Sequence, residues 1–486
     1  MLFAVISLAV VVGSASAADT RESGKAETKY LAFQLFTGSS VSRDVAANIP
    51  PSSGNLLKTV TDLRERIGTT GTGGRRLGFI LGPLSFDDTD EEARDLVQQM
   101  FDISLRTGVA CGFHVDDSMF WGRLTSLDTA DAIEWTDWNG TPTTGRRLDW
   151  STTPSKIMPQ LCFNSVPVKA AVVARAALIG GEVAKGIQRL KAVDKESLFI
   201  GIIAGWETQI GRDFDTGKRL GYHALANEGF SAGNPPADVD REREKIAGDF
   251  IELWASSLVK SGVPEGKVYS HIAFMSEAAY RIMGSAGTSR VPESYLSISG
   301  FTPPETAFCA FCIPGFSTYP QPGLLEQWKA ELTKHSSLGW ASSEGTAMDP
   351  SQTAGGGQSM EGYLGNLFNH GAVLVNLFGW DVGDANNPFR KVAESADSIS
   401  VYRKFLGGED LIEAPDTAPQ IPPSDLSAKI HTIQALLPDW VEHHDPTRVK
   451  PLMDRLDEDL KLQKLEDASL AAGEILAMIT ESRSQP

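Results

Sequence analysis

One feature constrains this chain more than any other: from residue 30 to residue 378, short apolar strand-like runs alternate with helical stretches. YLAFQLF (30–36) is followed by NLLKTVTDLRERI (55–67), and LGFILG (77–82) by DEEARDLVQQMFDISLRT (90–107), whose acidic start suits a helix N-terminus. VACGFHV (109–115) leads through a long Trp- and Asp-rich loop into VKAAVVARAALIGGEVAKGIQRLKAV (168–193). LFIGIIA (198–204) precedes DREREKIAGDFIELWASSLVKSG (240–262), and KVYSHIAFM (267–275) precedes an irregular stretch to about residue 306. A sixth strand is expected within 307–319, ahead of LLEQWKAELTKH (324–335). LGWAS (338–342) and AVLVNLF (372–378) complete eight.

Continuously apolar strands with intervening helices describe a parallel sheet covered on both faces. Eight such units predict an α/β fold, a (β/α)8 TIM barrel with enlarged βα loops, over residues 28–406. The competing architecture, an open doubly wound sheet, calls for a glycine-rich phosphate turn after an early strand, and the sequence has none. After Gly407-Gly408 the texture changes. Residues 407–425 read as a Gly/Pro-rich linker and 426–486 as a helical extension, with Leu452, Leu456 and Leu460 forming a stripe expected to pack on the barrel.

The first residues, LFAVISLAVVVG (2–13) followed by Ala15-Ser16-Ala17, have the form of a signal peptide (1–17), so the mature chain is expected to begin at Ala18 and to be secreted or periplasmic. No later run is apolar enough to span a bilayer, so no membrane association is expected once the leader is removed. The net charge of −18, without a Lys/Arg run interleaved with aromatics, argues against a nucleic-acid partner, because phosphate neutralisation dominates that binding. Four cysteines remain, Cys111, Cys162, Cys309 and Cys312, which allow three disulfide connectivities. Cys309 and Cys312 sit in the apolar run AFCAFCI without a second CxxC, so buried or structural cysteines are expected rather than a zinc or redox site. A sequon at Asn139-Gly140-Thr141 matters only in a eukaryotic secretory pathway.

In a parallel barrel, functional side chains gather just after the C-terminal strand ends. Polar and aromatic residues concentrate there: His114-Val115-Asp116-Asp117 and Phe120-Trp121 after the third strand, and Gly205-Trp206-Glu207-Thr208-Gln209 after the fourth. The fifth carries Ser270-His271, and the sixth ends near Ser317-Thr318-Tyr319. The seventh reaches Ser342-Ser343-Glu344-Gly345, and the eighth Phe378-Gly379-Trp380-Asp381. Two carboxyls on one rim, one protonated and one charged, are what glycoside hydrolysis needs, and the ten Trp residues of the chain offer platforms for sugar rings.

At these residues the chain resembles glycoside hydrolase clan A, the "4/7" superfamily, in which an acid/base Glu follows the fourth barrel strand and a nucleophile Glu the seventh. IIAGWETQIG supplies Glu207 and LGWASSEGTA supplies Glu344. PGFSTYP places Tyr319 at the end of strand six, and NLFGWDVG places Trp380 at the end of strand eight, as clan members often have. The resemblance covers the barrel but not the helical tail. It implies a glycosidase cleaving O-glycosidic bonds of a poly- or oligosaccharide with retention, with a carbohydrate as partner and no cofactor or metal. One position departs from the pattern: Trp206 stands where many members have an Asn that bonds the sugar 2-OH.

From their places on the rim, substrate contacts are expected from His114, Asp116, Asp117, Trp121, Trp206, Gln209, His271, Tyr319 and Trp380, with Trp121 and Trp380 as aromatic walls; a structural role for His114, Asp116 and Asp117 is the alternative. The resemblance further predicts a low pKa for Glu344, held by donation from Tyr319, and a raised one for Glu207. Two other functions fit the same rim: a metal-assisted hydrolase using His114, Asp116, Asp117 and His271, and a non-catalytic carbohydrate-binding barrel. A serine nucleophile is not indicated, since no G-x-S-x-G elbow occurs.

Overall fold

Among the described residues the alternation resolves into ten strands: β1 (Lys29–Phe36), β2 (Arg75–Leu84), β3 (Ala110–Val115), β4 (Arg146–Leu148), β5 (Ser155–Ile157), β6 (Phe199–Ala204), β7 (Val268–Ser270), β8 (Gly315–Ser317), β9 (Trp340–Gly345) and β10 (Ala372–Leu377). They come from a computed structural model that describes residues 28–36, 55–116, 118–148, 155–274, 276, 302–321, 323–337, 339–347, 358–414, 424–461 and 464–481. The expected leader, residues 415–423 of the linker and Asp117 lie outside the described residues.

Eight of the strands form one parallel sheet in the order β7-β6-β3-β2-β1-β10-β9-β8. The two ends meet: Tyr269 bridges Ile313 and Ile272 bridges Phe316, both parallel. Ile313 N–H donates to Val268 O at 2.8 Å and Ser317 N–H to Ile272 O at 2.9 Å. The sheet is therefore a closed (β/α)8 barrel, as the apolar runs predict. Closure satisfies the edge groups that an open sheet would leave exposed. Every residue of β3, β6 and β10 is buried, which fits strands covered outside by helices and inside by the packed barrel. β4 and β5 are not barrel strands; they pair antiparallel as a small hairpin in the long loop after β3.

The helices start and stop where local chemistry dictates. Asp90–Thr107 opens with a capping box, Thr89 receiving Glu92 N–H while the Glu92 carboxylate accepts from Thr89 N–H. It closes at Gly108, whose φ of 73° is the left-handed turn that favours glycine. Asp238 caps Val239–Lys260 by accepting from Asp240 and Arg241 N–H.

The tail forms three helices, Ser424–His443, Lys450–Lys461 and Leu465–Glu481. Their apolar residues make a cluster of their own from Leu426, Ile433, Trp440, Leu456, Ile475 and Ile479. This corrects the expectation of a stripe packing on the barrel: Leu456 is buried among the tail helices, Leu452 packs beside it, and Leu460 is exposed. The neighbouring tail helices offered that face a nearer partner. Cys309 and Cys312 form a disulfide, while Cys111 and Cys162 are buried free thiols. Among the described residues no helix is long and apolar enough to cross a membrane.

Candidate active site

β6 delivers Glu207 through a tight departure from the barrel. Gly205 has φ 88° and Glu207 itself has φ 51°, a left-handed conformation that a Glu side chain rarely adopts. Such strain persists where surrounding contacts hold it, and it clusters at functional sites. The Glu207 side chain is half-buried, and the Ser317 hydroxyl donates to its Oε1 at 2.8 Å.

Glu344 lies within β9, two residues further along the strand than the apolar run alone indicates, and it is buried. The Tyr319 hydroxyl donates to Glu344 Oε1 at 2.8 Å. Glu344 Oε2 has no hydrogen-bond partner among the described residues, although it is buried. A buried polar atom without a partner is costly, so it marks a place kept for something other than stability.

One short strand ties the two carboxyls together. Ser317 of β8 pairs in register with Glu344 of β9, and its hydroxyl reaches across to Glu207. Tyr319, two residues on, reaches Glu344. Both acids therefore sit at the same C-terminal rim, close enough for each to feel the other's charge. Burial, and then the Glu207 charge, push Glu344 up to about 8, with the Tyr319 hydrogen bond pulling the other way. The donor anticipated for Glu344 is in place, but the predicted low pKa is not, because desolvation outweighs one hydroxyl. Tyr319 is in turn raised well above its ordinary value by burial and by the carboxylates beside it.

Behind Glu207 runs a buried polar chain. The ring nitrogen Nε2 of His271 is 2.8 Å from Ser317 Oγ, and its Nδ1 is 3.0 Å from His114 Nε2. His114 Nδ1 is 3.0 Å from Gln34 Oε1, and its Nε2 is 2.9 Å from Gly205 O. Gly82 makes room for this ring, since a Cβ there would come within 2.6 Å of the His114 Cβ. Trp206 stacks flat on His114 with ring centroids 4.0 Å apart. Both histidines are fully buried. Burial, joined by the neighbouring ring, holds His114 well below the usual imidazole range, and burial takes His271 down to about 3. Neither ring meets solvent, so these two residues stand behind the rim rather than on it.

Other rim residues anticipated as substrate contacts also have structural work. Asp116 accepts backbone N–H groups from Ser118, Met119 and Phe120, which fixes the loop after β3. A carboxylate so occupied, with His114 and His271 turned to each other, does not converge on a metal with its neighbours, and among the described residues no group of three or more ligating side chains is arranged to hold one. Trp121 is buried in the main core and its indole N–H donates to Pro159 O at 3.1 Å. Trp380 is buried edge-on to Phe33, with the Arg66 guanidinium 4.6 Å above its ring. Both indoles are almost fully buried. Gln209 is buried in the loop that carries Glu207.

A buried aromatic cluster adjoins the two acids through Trp206, next to Glu207 in the chain, and Phe389, beside Tyr319. Phe36, Phe120, Trp206 and Phe378 form a separate apolar cluster, with Phe389 packed against it. Ring contacts link Trp206 to Phe36 (6.0 Å), Phe36 to Phe378 (5.8 Å), Phe378 to Phe389 (5.2 Å) and Phe389 to Tyr319 (6.3 Å), an arc from the Glu207 side to the Glu344 side. Phe36 and Phe378 end or follow β1 and β10, and that position was the available signal.

No family model and no curated protein sequence matches the chain. Solved structures of a beta-galactosidase and of a beta-1,4-galactanase align with the chain. A catalytic mutant of a GH42 beta-galactosidase from G. stearothermophilus aligns at 9% identity over 74% of this chain, with a TM-score of 0.39, and the unmutated enzyme at 10% and 0.40. This chain spans 56% of the length of each of those galactosidases. A fungal beta-1,4-galactanase aligns at 12% identity over 71% of this chain and 97% of its own, with a TM-score of 0.32.

Proposed function

We propose that the chain is a glycosidase that cleaves O-glycosidic bonds of a poly- or oligosaccharide with retention, using Glu207 as acid/base and Glu344 as nucleophile. The observation that carries this reading is the pairing of two unlike carboxyls around Ser317. Glu207 is half-buried and backed by a hydroxyl. Glu344 is buried, with one oxygen on Tyr319 and the other without a partner among the described residues.

An anomeric carbon placed over Glu344 Oε2 would give that oxygen the partner it lacks. In the first half-reaction the bond from the anomeric carbon to the leaving oxygen breaks as the Glu344 carboxylate forms an ester to that carbon, and Glu207 gives its proton to the leaving oxygen. In the second, water attacks the same carbon, Glu207 takes the water's proton, and Glu344 leaves as a carboxylate.

Burial and the charge on Glu207 raise Glu344, so a proton on this carboxyl is favoured before a sugar binds. Sugar binding must leave that proton on Glu207. A glycosidic oxygen beside Glu207 and developing positive charge on the sugar beside Glu344 both favour that distribution. Phe389, half-buried beside Tyr319, offers an apolar face for a sugar ring. The leader supports export of a mature chain starting at Ala18, which N-terminal sequencing of the secreted product tests.

The function is tested with a panel of aryl glycosides and oligosaccharides. Release of sugar with its anomeric configuration unchanged, followed by proton NMR, is expected for at least one member. Release with inverted configuration would contradict the roles given to the two acids.

A further inference from the structure

We propose that Thr318, Tyr363 and Ser342 form a clamp of three buried hydroxyls that fixes the backbone of Glu344 and makes them positioning residues for the nucleophile. The inference rests on the reading of Glu344 as nucleophile and names what holds that residue in place.

Glu344 sits at an irregularity of its strand. Phe316 of β8 pairs with Ser342 of β9, but the next residue, Ser317, pairs with Glu344, so Ser343 is an extra residue on the β9 side. An extra residue of this kind bends a strand, interrupts the ladder and re-aims the side chain beside it. The two serines part company there. The Ser343 hydroxyl donates to Ser270 O of β7 at 2.6 Å, whereas the Ser342 hydroxyl meets Thr318, which in turn meets Tyr363 on the helix Met360–Asn369.

Where the ladder is interrupted, other bonds must set the backbone, and Thr318 supplies them. Its N–H donates to Glu344 O at 2.7 Å, and its hydroxyl donates to the same oxygen at 3.3 Å. A hydroxyl has one hydrogen and two lone pairs. With the hydrogen on Glu344 O, the lone pairs of Thr318 accept from Ser342 Oγ at 2.6 Å and from Tyr363 Oη at 2.7 Å. Every bond that this hydroxyl can make is made. Burial raises the Tyr363 phenol above its ordinary range, so it stays a hydroxyl at neutral pH.

The clamp lies tight against the strand. A Cβ on Gly345 would come within 2.4 Å of both Thr318 Oγ1 and Tyr363 Oη, so the residue after the nucleophile has room for none. Thr318, Tyr363 and Ser342 are all 2% exposed or less. Replacing such a set by apolar groups of the same shape is close to neutral for stability, so stability alone does not account for it. Catalysis does. A reacting group has to be held within about 0.5 Å of its productive position, and a misplacement of about 1 Å can cost 10²-fold in rate. Tyr319 holds the carboxyl end of Glu344, and the clamp holds the backbone from which that side chain springs. Together they keep the bare Oε2 at one point.

Two measurements test the clamp. Hydrogen exchange at the residue-318 amide, which donates to Glu344 O, should quicken at least about tenfold in Tyr363→Phe, while the amides of β1 and β2 keep their wild-type rates. An unchanged residue-318 amide, or equal quickening throughout the barrel, overturns the proposal. On a substrate from the glycoside panel, Tyr363→Phe and Thr318→Val should each lower kcat about tenfold with KM unchanged. The double variant should lose no more than the larger single loss, since both changes remove one clamp, and Thr318→Ser should restore the wild-type rate. Losses that multiply, a raised KM with kcat unchanged, or Thr318→Ser no better than Thr318→Val would each count against it. The exchange is read without turnover, so the two inferences fail separately. A covalent sugar on another carboxylate of the wild-type protein would sink the nucleophile reading, whichever way the exchange comes out.

Discussion

The two acids share one strand end and differ in almost everything behind it. Glu207 is half-buried, sits on a strained left-handed residue, and is backed by Ser317, His271 and His114. Glu344 is buried within a strand, bonded to Tyr319 through one oxygen and to nothing described through the other. A carboxyl that must gain and lose a proton each cycle benefits from partial exposure beside a hydroxyl donor. A carboxyl that must form a bond benefits from an oxygen left bare, at a cost in stability. The contrast explains how two glutamates of identical chemistry are set to different tasks.

The contrast breaks most visibly if the bare oxygen is removed. Glu344→Gly should lower turnover by at least about three orders of magnitude on every substrate, and azide should restore activity with an inverted product. Equal residual activity with and without azide would deny Glu344 its covalent role.

Glu207→Ala should be selective. Activity should fall about 10²- to 10⁴-fold on substrates with poor leaving groups and much less on activated aryl glycosides, which need little protonation. A uniform loss across leaving groups would place Glu207 outside acid catalysis.

A third experiment reads stability. The Glu344 pKa rises from about 4.3 in the unfolded chain to about 8 in the fold. A raised carboxyl contributes fully below the lower value, and its contribution is lost as pH rises through that window. Glu344→Gln removes the ionisation, so the variant should be more stable than wild type at pH 8–9, by roughly a few kcal/mol, with the gap closing below pH 4. Parallel melting curves at all pH values would show that burial does not tax this residue.

The smallest effect is expected from Tyr319→Phe. Losing one donor to Glu344 should lower kcat about tenfold and raise the pH at which Glu344 ionises, moving the acidic limb of the profile upward. An unchanged limb would mean that the 2.8 Å hydrogen bond does not tune Glu344.

Much of this was legible in the sequence, for identifiable reasons. Continuous apolar runs such as LFIGIIA report a strand buried on both faces, and eight of them leave few architectures open. Residues at the ends of such runs are placed on the rim by the same count, which is how Glu207, Glu344 and Tyr319 stand out together. The count does not tell which way a rim side chain points. His114, His271 and Asp116 look like ligands in the sequence, yet the first two face inward and the third closes its own loop. Trp380 looks like a sugar platform until Arg66, over 300 residues away in the chain, covers its ring. Strands β4, β5 and β8, three residues each like β7, lie outside any longer apolar run and were not located closely. Phe36 and Phe378 went unnoticed because an apolar residue ending an apolar run gives no contrast.

The central claim, that the bare oxygen of Glu344 attacks the sugar, is tested most directly by labelling. The wild-type protein would be incubated with 2-deoxy-2-fluoro glycosides of the sugars it turns over, digested, and its modified peptide sequenced by mass spectrometry. The account predicts time-dependent inactivation with one fluorosugar per chain, esterified to Glu344. A label on any other carboxylate would contradict it, as would full activity against the parent glycoside with no label at all.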